Sequence, residues 1–247
     1  MRAVTHITVL LVVFLLSTAA SARDKIFVPT AAGEIAAERL GDCSEALCPA
    51  VMILSGSRGF GSSVYDEIGQ TFRAAGLNAY LVHILTPTDL DVIANANGAG
   101  ARIAYYAERL EGWMADVSHV AAYLKRQPLH GGKVGLLGIS LGAQIASAAS
   151  TGHTDLDALV LVDGGFPNGY SPQVDILPPL LLIWGSDDQT FPLSIAAEME
   201  RTAQRIGSPV TLDVYQGGAH DFFLRSGTNT AAAAHQSAAS YFARWLL

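Results

Sequence analysis

The stretch Gly138-Ile139-Ser140-Leu141-Gly142 sets a serine between two glycines at the junction of two differently patterned segments. Before it, Lys133-Val134-Gly135-Leu136-Leu137 reads as a short buried strand; after it, Ala143-Gln144-Ile145-Ala146-Ser147-Ala148-Ala149 reads as a helix rich in small residues. A serine at such a strand-to-helix turn is held in a strained backbone conformation that exposes its Oγ, while the glycines let strand and helix approach closely. The helix N-terminus behind it favours developing negative charge. The chemistry this suits is attack by Ser140 on an electrophilic carbonyl. By spacing alone the same residues also describe a plain Gly-Ser turn. What separates the two readings is whether a base, an acid and oxyanion donors can reach the serine.

A serine hydroxyl attacks poorly until a neighbouring base takes its proton. Of seven histidines, His6 lies in the N-terminal apolar segment, His119 and His235 on predicted helices, and His83 in or beside a strand. His130 and His153 fall in loops at the amino end of the strands. His220 alone follows the last predicted strand, in Tyr215-Gln216-Gly217-Gly218-Ala219-His220-Asp221-Phe222. The acid that orients its imidazole is expected in Trp184-Gly185-Ser186-Asp187-Asp188, where either aspartate could serve. Asp163, one strand earlier, is the rival, with capping of the Gly164-Gly165 turn as its expected work. The oxyanion hole needs two backbone N–H groups. One is expected from Leu141, the other from Ser57 in the glycine-rich Ser55-Gly56-Ser57-Arg58-Gly59. Arg58 itself reads equally as a contact for a substrate carboxylate or as a solvated charge. This set of residues calls for no cofactor and no metal.

The elements that must position these residues follow in regular order. Lys25–Val28 and Ile35–Leu40 flank Ala31-Ala32-Gly33 as an edge hairpin. Strands are expected over Pro49–Leu54, Leu77–Leu85, Lys133–Leu137, Ala158–Val162, Leu177–Trp184 and Val210–Tyr215. Helices are expected over Ser63–Ala75, Ala101–Arg126, the segment after Ser140, Leu193–Ile206 and Asn229–Leu246, with Thr86–Gly100 as a long loop. Strands alternate with helices and the central strands are apolar on both faces, so an α/β fold follows: a mostly parallel central sheet with helices on both faces and a minimal lid. In such sheets ligands bind at the carboxyl ends of the strands. Ser140, Asp188, His220 and the Ser55–Gly59 loop all fall there.

With 247 residues, half of them hydrophobic and 15% charged, the chain can bury one sizeable core. The net charge of −7, with no basic stripe, argues against nucleic acid as a partner. Met1-Arg2, the apolar Ile7–Leu16 and Ala20-Ser21-Ala22 match a cleavable signal peptide over residues 1–22, leaving a single domain over 23–247. The apolar core is too short to span a bilayer comfortably, so an exported, periplasmic or extracellular protein without a stable membrane span is expected. In an oxidising compartment Cys43 and Cys48, the only two cysteines, would form a small disulfide loop; in a reducing one they would be thiols.

Taken together, these residues resemble the α/β-hydrolase superfamily and, within it, the dienelactone-hydrolase-like branch. The resemblance runs from about Ile26 to the C-terminus. Trp113-Met114-Ala115-Asp116-Val117 through Tyr123-Leu124, followed by Lys133 to Ala143, is similar to that branch's helix, strand and nucleophile elbow. Gly185-Ser186-Asp187-Asp188 with Pro192 is similar to its G-x-x-D-x-x-x-P acid loop, which implies Asp188 rather than Asp187. Gly218-Ala219-His220-Asp221-Phe222 is similar to its histidine loop, with one residue fewer before the histidine. Two departures stand out. The namesake enzymes carry cysteine at the elbow where this chain has Ser140, which shifts the implied chemistry towards ordinary esters. Ser55-Gly56 stands where many members read His-Gly.

The implied activity is hydrolysis of small carboxylesters or lactones through an acyl-enzyme on Ser140, with Asp188 and His220 completing a triad and Ser57 and Leu141 forming the oxyanion hole. The competing readings are a non-catalytic binding protein of the same fold and an acyltransferase using the same residues. Thr86–Gly100, Arg102, Tyr105, Tyr106, Arg109, Trp113 and Asp163–Ile176 are expected to wall a modest, fairly open pocket for a small-molecule ester.

Overall fold

In the computed structural model of the protein, the described residues are 23–30, 33–41, 43, 47–151 and 155–247. The leader expected over residues 1–22, with His6, and the loop histidine His153 lie outside them. The chain begins with the antiparallel hairpin β1 (Asp24–Thr30) and β2 (Gly33–Arg39). It continues through β3 (Ala50–Leu54), α1 (Val64–Ala74), β4 (Asn78–Val82), α2 (Pro87–Asn95) and α3 (Gly98–Lys125). Then come β5 (Val134–Ile139), α4 (Leu141–Ala149), β6 (Ala158–Val162), β7 (Leu180–Gly185), α5 (Leu193–Arg205), β8 (Val210–Tyr215) and α6 (Asn229–Leu246). The strands form one eight-stranded sheet in the order β1-β2-β4-β3-β5-β6-β7-β8. β2 meets β4 antiparallel, and every pair from β4 to β8 is parallel.

The apolar strands work as the two-residue strand period requires. On β3, Ala50, Met52 and Leu54 enter one core while Val51 and Ile53 enter the other. On β7, Leu180, Leu182 and Trp184 alternate in the same way with Leu181 and Ile183. The first core is closed by Trp113, Val117, Val120 and Leu124 of α3, by the alanines of α4, and by Ala196, Met199 and Ala203 of α5. The second is closed by Ile68 and Phe72 of α1 and by Ala238, Phe242 and Leu246 of α6. Helices therefore cover both faces, as the α/β-hydrolase fold demands.

Strand ends shift by a few residues from expectation, with β4 over Asn78–Val82 against Leu77–Leu85 and β5 over Val134–Ile139 against Lys133–Leu137, and two further departures have a plain cause. β7 begins at Leu180 instead of Leu177 because Pro178 and Pro179 supply no N–H to a ladder. The Thr86–Gly100 segment is not a loop: it holds α2 and the first turn of α3. Thr86 caps α2, its Oγ1 accepting from the Asp89 N–H at 3.1 Å while the Asp89 carboxylate accepts from the Thr86 N–H at 2.8 Å. Pro87 occupies the first helical position, where a missing N–H costs nothing.

Asp89 also anchors α2 to α3. Its buried carboxylate accepts from the Tyr105 hydroxyl at 2.6 Å, the Arg109 Nε at 2.9 Å and the Trp113 Nε1 at 3.4 Å. Burial pushes the acid up, but Arg109, Tyr105 and Thr86 outweigh it and hold Asp89 at about 2. At the other end of the sheet Cys43 and Cys48 are disulfide-bonded. The neighbouring His130 is buried, which lowers its pKa. Its Nδ1–H donates to the Cys48 carbonyl at 2.8 Å, and its Nε2 lies 3.1 Å from the Tyr80 hydroxyl.

Candidate active site

Ser140 sits between the end of β5 and the start of α4 with φ 54° and ψ −114°, a conformation few L-residues adopt. The glycines on either side permit it by close approach. A Cβ on Gly138 would lie 2.4 Å from the Gly142 carbonyl oxygen, and one on Gly142 would lie 2.4 Å from that of Leu54. The Ser140 N–H donates to Val162 O at 2.9 Å, tying the turn to the end of β6.

The sequence-predicted partners converge on this serine. His220 Nε2 lies 3.1 Å from Ser140 Oγ. His220 Nδ1 donates to Asp188 Oδ2 at 2.8 Å. Asp188 is buried, and its other oxygen accepts the Thr190 and Phe191 N–H groups at 2.7 and 2.9 Å. The result is a continuous hydrogen-bonded relay from hydroxyl to imidazole to carboxylate. In it the carboxylate fixes the Nδ1–H tautomer and leaves Nε2 as an acceptor facing Oγ.

The two loops that carry the base and the acid are stitched together. Asp187 N donates to Gly218 O at 2.8 Å, Ser186 N to Tyr215 O at 3.0 Å, and Gly217 N to Ser186 Oγ at 2.8 Å. Behind His220, Phe222 and Phe223 are buried in a single 3-10 turn, and His235 Nε2 donates to Phe223 O at 2.8 Å. The choice between neighbouring aspartates follows from direction, since the Asp187 carboxylate accepts from the Ser186 hydroxyl at 2.9 Å.

Asp163 does not reach His220 by a hydrogen bond, nor does it cap the following glycine turn as expected. Its Oδ1 accepts the Gly185 N–H of β7 at 3.0 Å, and its Oδ2 has no partner. Burial, then the Gly185 bond and the nearby Asp188, set its pKa, which rises to about 7. One ligand-type atom from each of Asp163, Asp188 and His220 lies within 4.8 Å of the others. Two of these three residues already spend those atoms on each other, which suits proton handling.

The oxyanion candidates lie beside the nucleophile. Leu141 opens α4, so its N–H has no intrahelical acceptor. The loop after β3 lies against the nucleophile, and a Cβ on Gly56 would stand 3.4 Å from that of Ser140. Ser57, next in that loop, lines the same cleft, as does Tyr106.

That cleft has a volume of about 1240 Å³, larger than the modest pocket expected. Its walls explain the difference. α2 and the start of α3 contribute Leu90, Ile93, Arg102 and Tyr106, and the β6–β7 connection contributes Phe166 and Tyr170. Tyr105, Arg109 and Trp113 instead hold Asp89. Arg58 ion-pairs with Asp221 at the rim, and Asp221 Oδ1 stands 3.6 Å from His220 Nε2. Neither motif nor spacing singles out Asp221 (φ 69°) or Tyr65, a buried phenol on the cleft whose hydroxyl lacks a partner. The non-glycine turn after His220 is the one available signal for Asp221.

Comparison with known proteins bears on the family and the fold. A family model described as the dienelactone hydrolase family matches residues 39–246. No curated protein matches the chain. A dienelactone hydrolase from Anabaena variabilis superposes with TM-score 0.69 at 19% identity, covering 92% of this chain and 99% of that one. A dienelactone-hydrolase-like promiscuous phosphotriesterase from metagenomic libraries gives TM-score 0.75 at 16% identity, covering 92% and 99%. A thermophilic esterase from Thermogutta terrifontis gives 0.66 at 14%, covering 90% and 94%. At these identities the structural likeness is one of fold, while the family model spans most of the sequence: the chain, with its α/β-hydrolase fold, belongs to the dienelactone hydrolase family.

Proposed function

We propose that this is an exported serine hydrolase that cleaves small-molecule carboxylesters or lactones through an acyl-enzyme on Ser140. The observation that carries the reading is the relay of 3.1 and 2.8 Å hydrogen bonds from Ser140 through His220 to Asp188. His220 Nε2 accepts the Ser140 proton as Oγ bonds to the ester carbonyl carbon, and the carbonyl electrons move onto oxygen. The N–H groups of Ser57 and Leu141 stabilise that oxyanion, a contribution worth about 3 kcal/mol per donor in comparable sites. Collapse expels the alcohol oxygen, which takes the proton from His220 and leaves the acyl group on Ser140. Water then repeats the sequence, giving up its proton to His220, and the carboxylic acid leaves as Oγ is reprotonated.

Export is supported by the leader pattern of residues 1–22 and by the Cys43–Cys48 disulfide, which persists in oxidising compartments. Among the described residues no helix is long and apolar enough to cross a membrane. N-terminal sequencing of the protein recovered from the medium or periplasm checks cleavage after Ala22.

Labelling with a fluorophosphonate tests the chemistry. Wild type is expected to be labelled stoichiometrically, while Ser140→Ala is expected to stay unlabelled and lose ester hydrolysis by about a thousandfold or more. Equal labelling of the two proteins would overturn the role of Ser140.

A further inference from the structure

A second cavity of about 310 Å³ opens off the main cleft between α3 and the β6–β7 connection. It shares Ile103, Tyr106, Gln144 and the Pro167–Tyr170 segment with the cleft, so the two are continuous. Gln144 stands one helical turn beyond Ser140 on α4, which places the mouth of the cavity beside the nucleophile. Its own walls are mostly apolar: Ala107, Leu110 and Met114 from α3 and Pro172 from the connection line it, with Glu111 and Ser171 as the polar members. Ile103, at the shared mouth, is 41% exposed.

The groove is fixed in place from both sides. The Tyr170 hydroxyl is hydrogen-bonded to Thr151 Oγ1 at 2.7 Å, and its ring stacks on Phe166 with centroids 5.0 Å apart. On the other side the Tyr106 ring packs against the buried Trp113, with centroids 6.3 Å apart. A pre-formed apolar groove with a few polar groups at its mouth is the usual form of a small-molecule subsite.

We propose that this groove is the acyl-chain subsite of the enzyme, taking the unbranched apolar tail of medium-chain esters. The inference rests on the proposed attack by Ser140. In the tetrahedral intermediate the leaving oxygen must face His220, which protonates it, and the oxyanion must face the Ser57 and Leu141 N–H groups. The acyl carbon takes the remaining direction. The groove contains neither His220 nor the Arg58–Asp221 pair at its side of the rim, and it joins the cleft through Tyr106 and Gln144. A chain leaving the acyl carbon away from the histidine therefore enters the groove, covers Ile103 and removes apolar surface from water.

Hydrolysis of p-nitrophenyl acetate, butyrate and octanoate, compared with a series of alkyl acetates, tests the assignment. Wild-type kcat/KM is expected to rise by about two- to fourfold per methylene along the acyl series until the groove is filled. Ala107 lies exposed on α3 in the groove wall, so the fold tolerates substitution there. Ala107→Phe is expected to lower kcat/KM for octanoate by about tenfold or more and to leave acetate within about twofold. Ala107→Glu, which adds charge with less bulk, is expected to show the same split. Activity on acetate reports that both variants are folded.

A wild-type profile that is flat or falls with acyl length overturns the subsite while leaving the hydrolase reading intact. The subsite is equally overturned if both substrates fall together in Ala107→Phe, or if the alkyl acetates show the chain-length split instead. Absence of ester hydrolysis together with absence of fluorophosphonate labelling would overturn the hydrolase reading itself, and the subsite with it.

Discussion

Asp163 leaves β6 in the left-handed region at φ 46°, buried, with one carboxyl oxygen unpartnered and Asp188 and His220 close by. Burial without full hydrogen bonding favours its neutral form, and its pKa rises to about 7. In the unfolded chain the same group titrates near 3.8. Between these two values the folded protein holds the proton that the unfolded chain has released. This group's contribution to stability therefore falls as pH rises through that window, by up to about 4 kcal/mol in total. Asp163→Asn keeps the shape of the neutral acid and suits the left-handed conformation. The variant should match wild type in urea unfolding at low pH and be more stable than it at pH 8 by a few kcal/mol. An equal difference at both pH values would show that the carboxyl does not titrate in this way. Sequence places Asp163 at a strand end but does not disclose its use. Its bond to Gly185 crosses between strands that are distant in sequence, and no local pattern encodes such a bond. Ser140, Asp188 and His220 are legible because each lies in a short glycine-containing loop at a strand's carboxyl end.

At the scale of elements, alternation makes the parallel strands readable, since residues such as Val51, Met52 and Ile53 are apolar in succession and serve both cores. The helix α2 is hidden because Pro87, Asn95 and Asn97 weigh as loop residues. The signals for its start are nevertheless present in Thr86-Pro87-Thr88-Asp89, a cap, a proline at the first helical position and an acid two residues later. What no sequence window shows is that Asp89 is also the acceptor for Tyr105, Arg109 and Trp113 on the next helix. The consequence is a wall of the cleft hung on one carboxylate. Its pKa is depressed, so its contribution is present above the unfolded carboxylate range and is lost as pH falls towards 2. Asp89→Asn should destabilise the protein by about 2 kcal/mol at pH 7 and by about half of that near pH 3. Because Leu90 and Ile93 line the cleft, KM for esters should rise more than kcat falls. Thermal unfolding at the two pH values and steady-state kinetics check both parts; a fall in kcat with unchanged KM would place the effect at the hydrogen-bonded relay instead.

For the molecule as a whole, the sheet divides its ends between two tasks. The carboxyl ends of β3, β5, β7 and β8 deliver the Ser57 loop, Ser140, Asp188 and His220, and this half of the design is legible from chain order. The size of the cleft is not. It depends on α2, α3 and the β6–β7 connection meeting over the sheet, a relation between segments far apart in sequence. The amino ends carry the fastening. Cys48 precedes β3, is fully buried, and takes a hydrogen bond from His130, while Cys43 N donates to Asn78 Oδ1 at 3.3 Å beside the start of β4. The bridge closes a loop with a sequence separation of only 5, so the entropy it removes from the unfolded chain corresponds to about 2 kcal/mol. Replacing both cysteines by serine should therefore lower the melting temperature by about 4–8 °C. Because the bridge lies at the opposite end of the sheet from Ser140, kcat/KM at 25 °C should stay within about twofold of wild type. A large loss of activity in a folded double variant would mean that the strand ends are coupled through β3, and that fastening and chemistry are not separate.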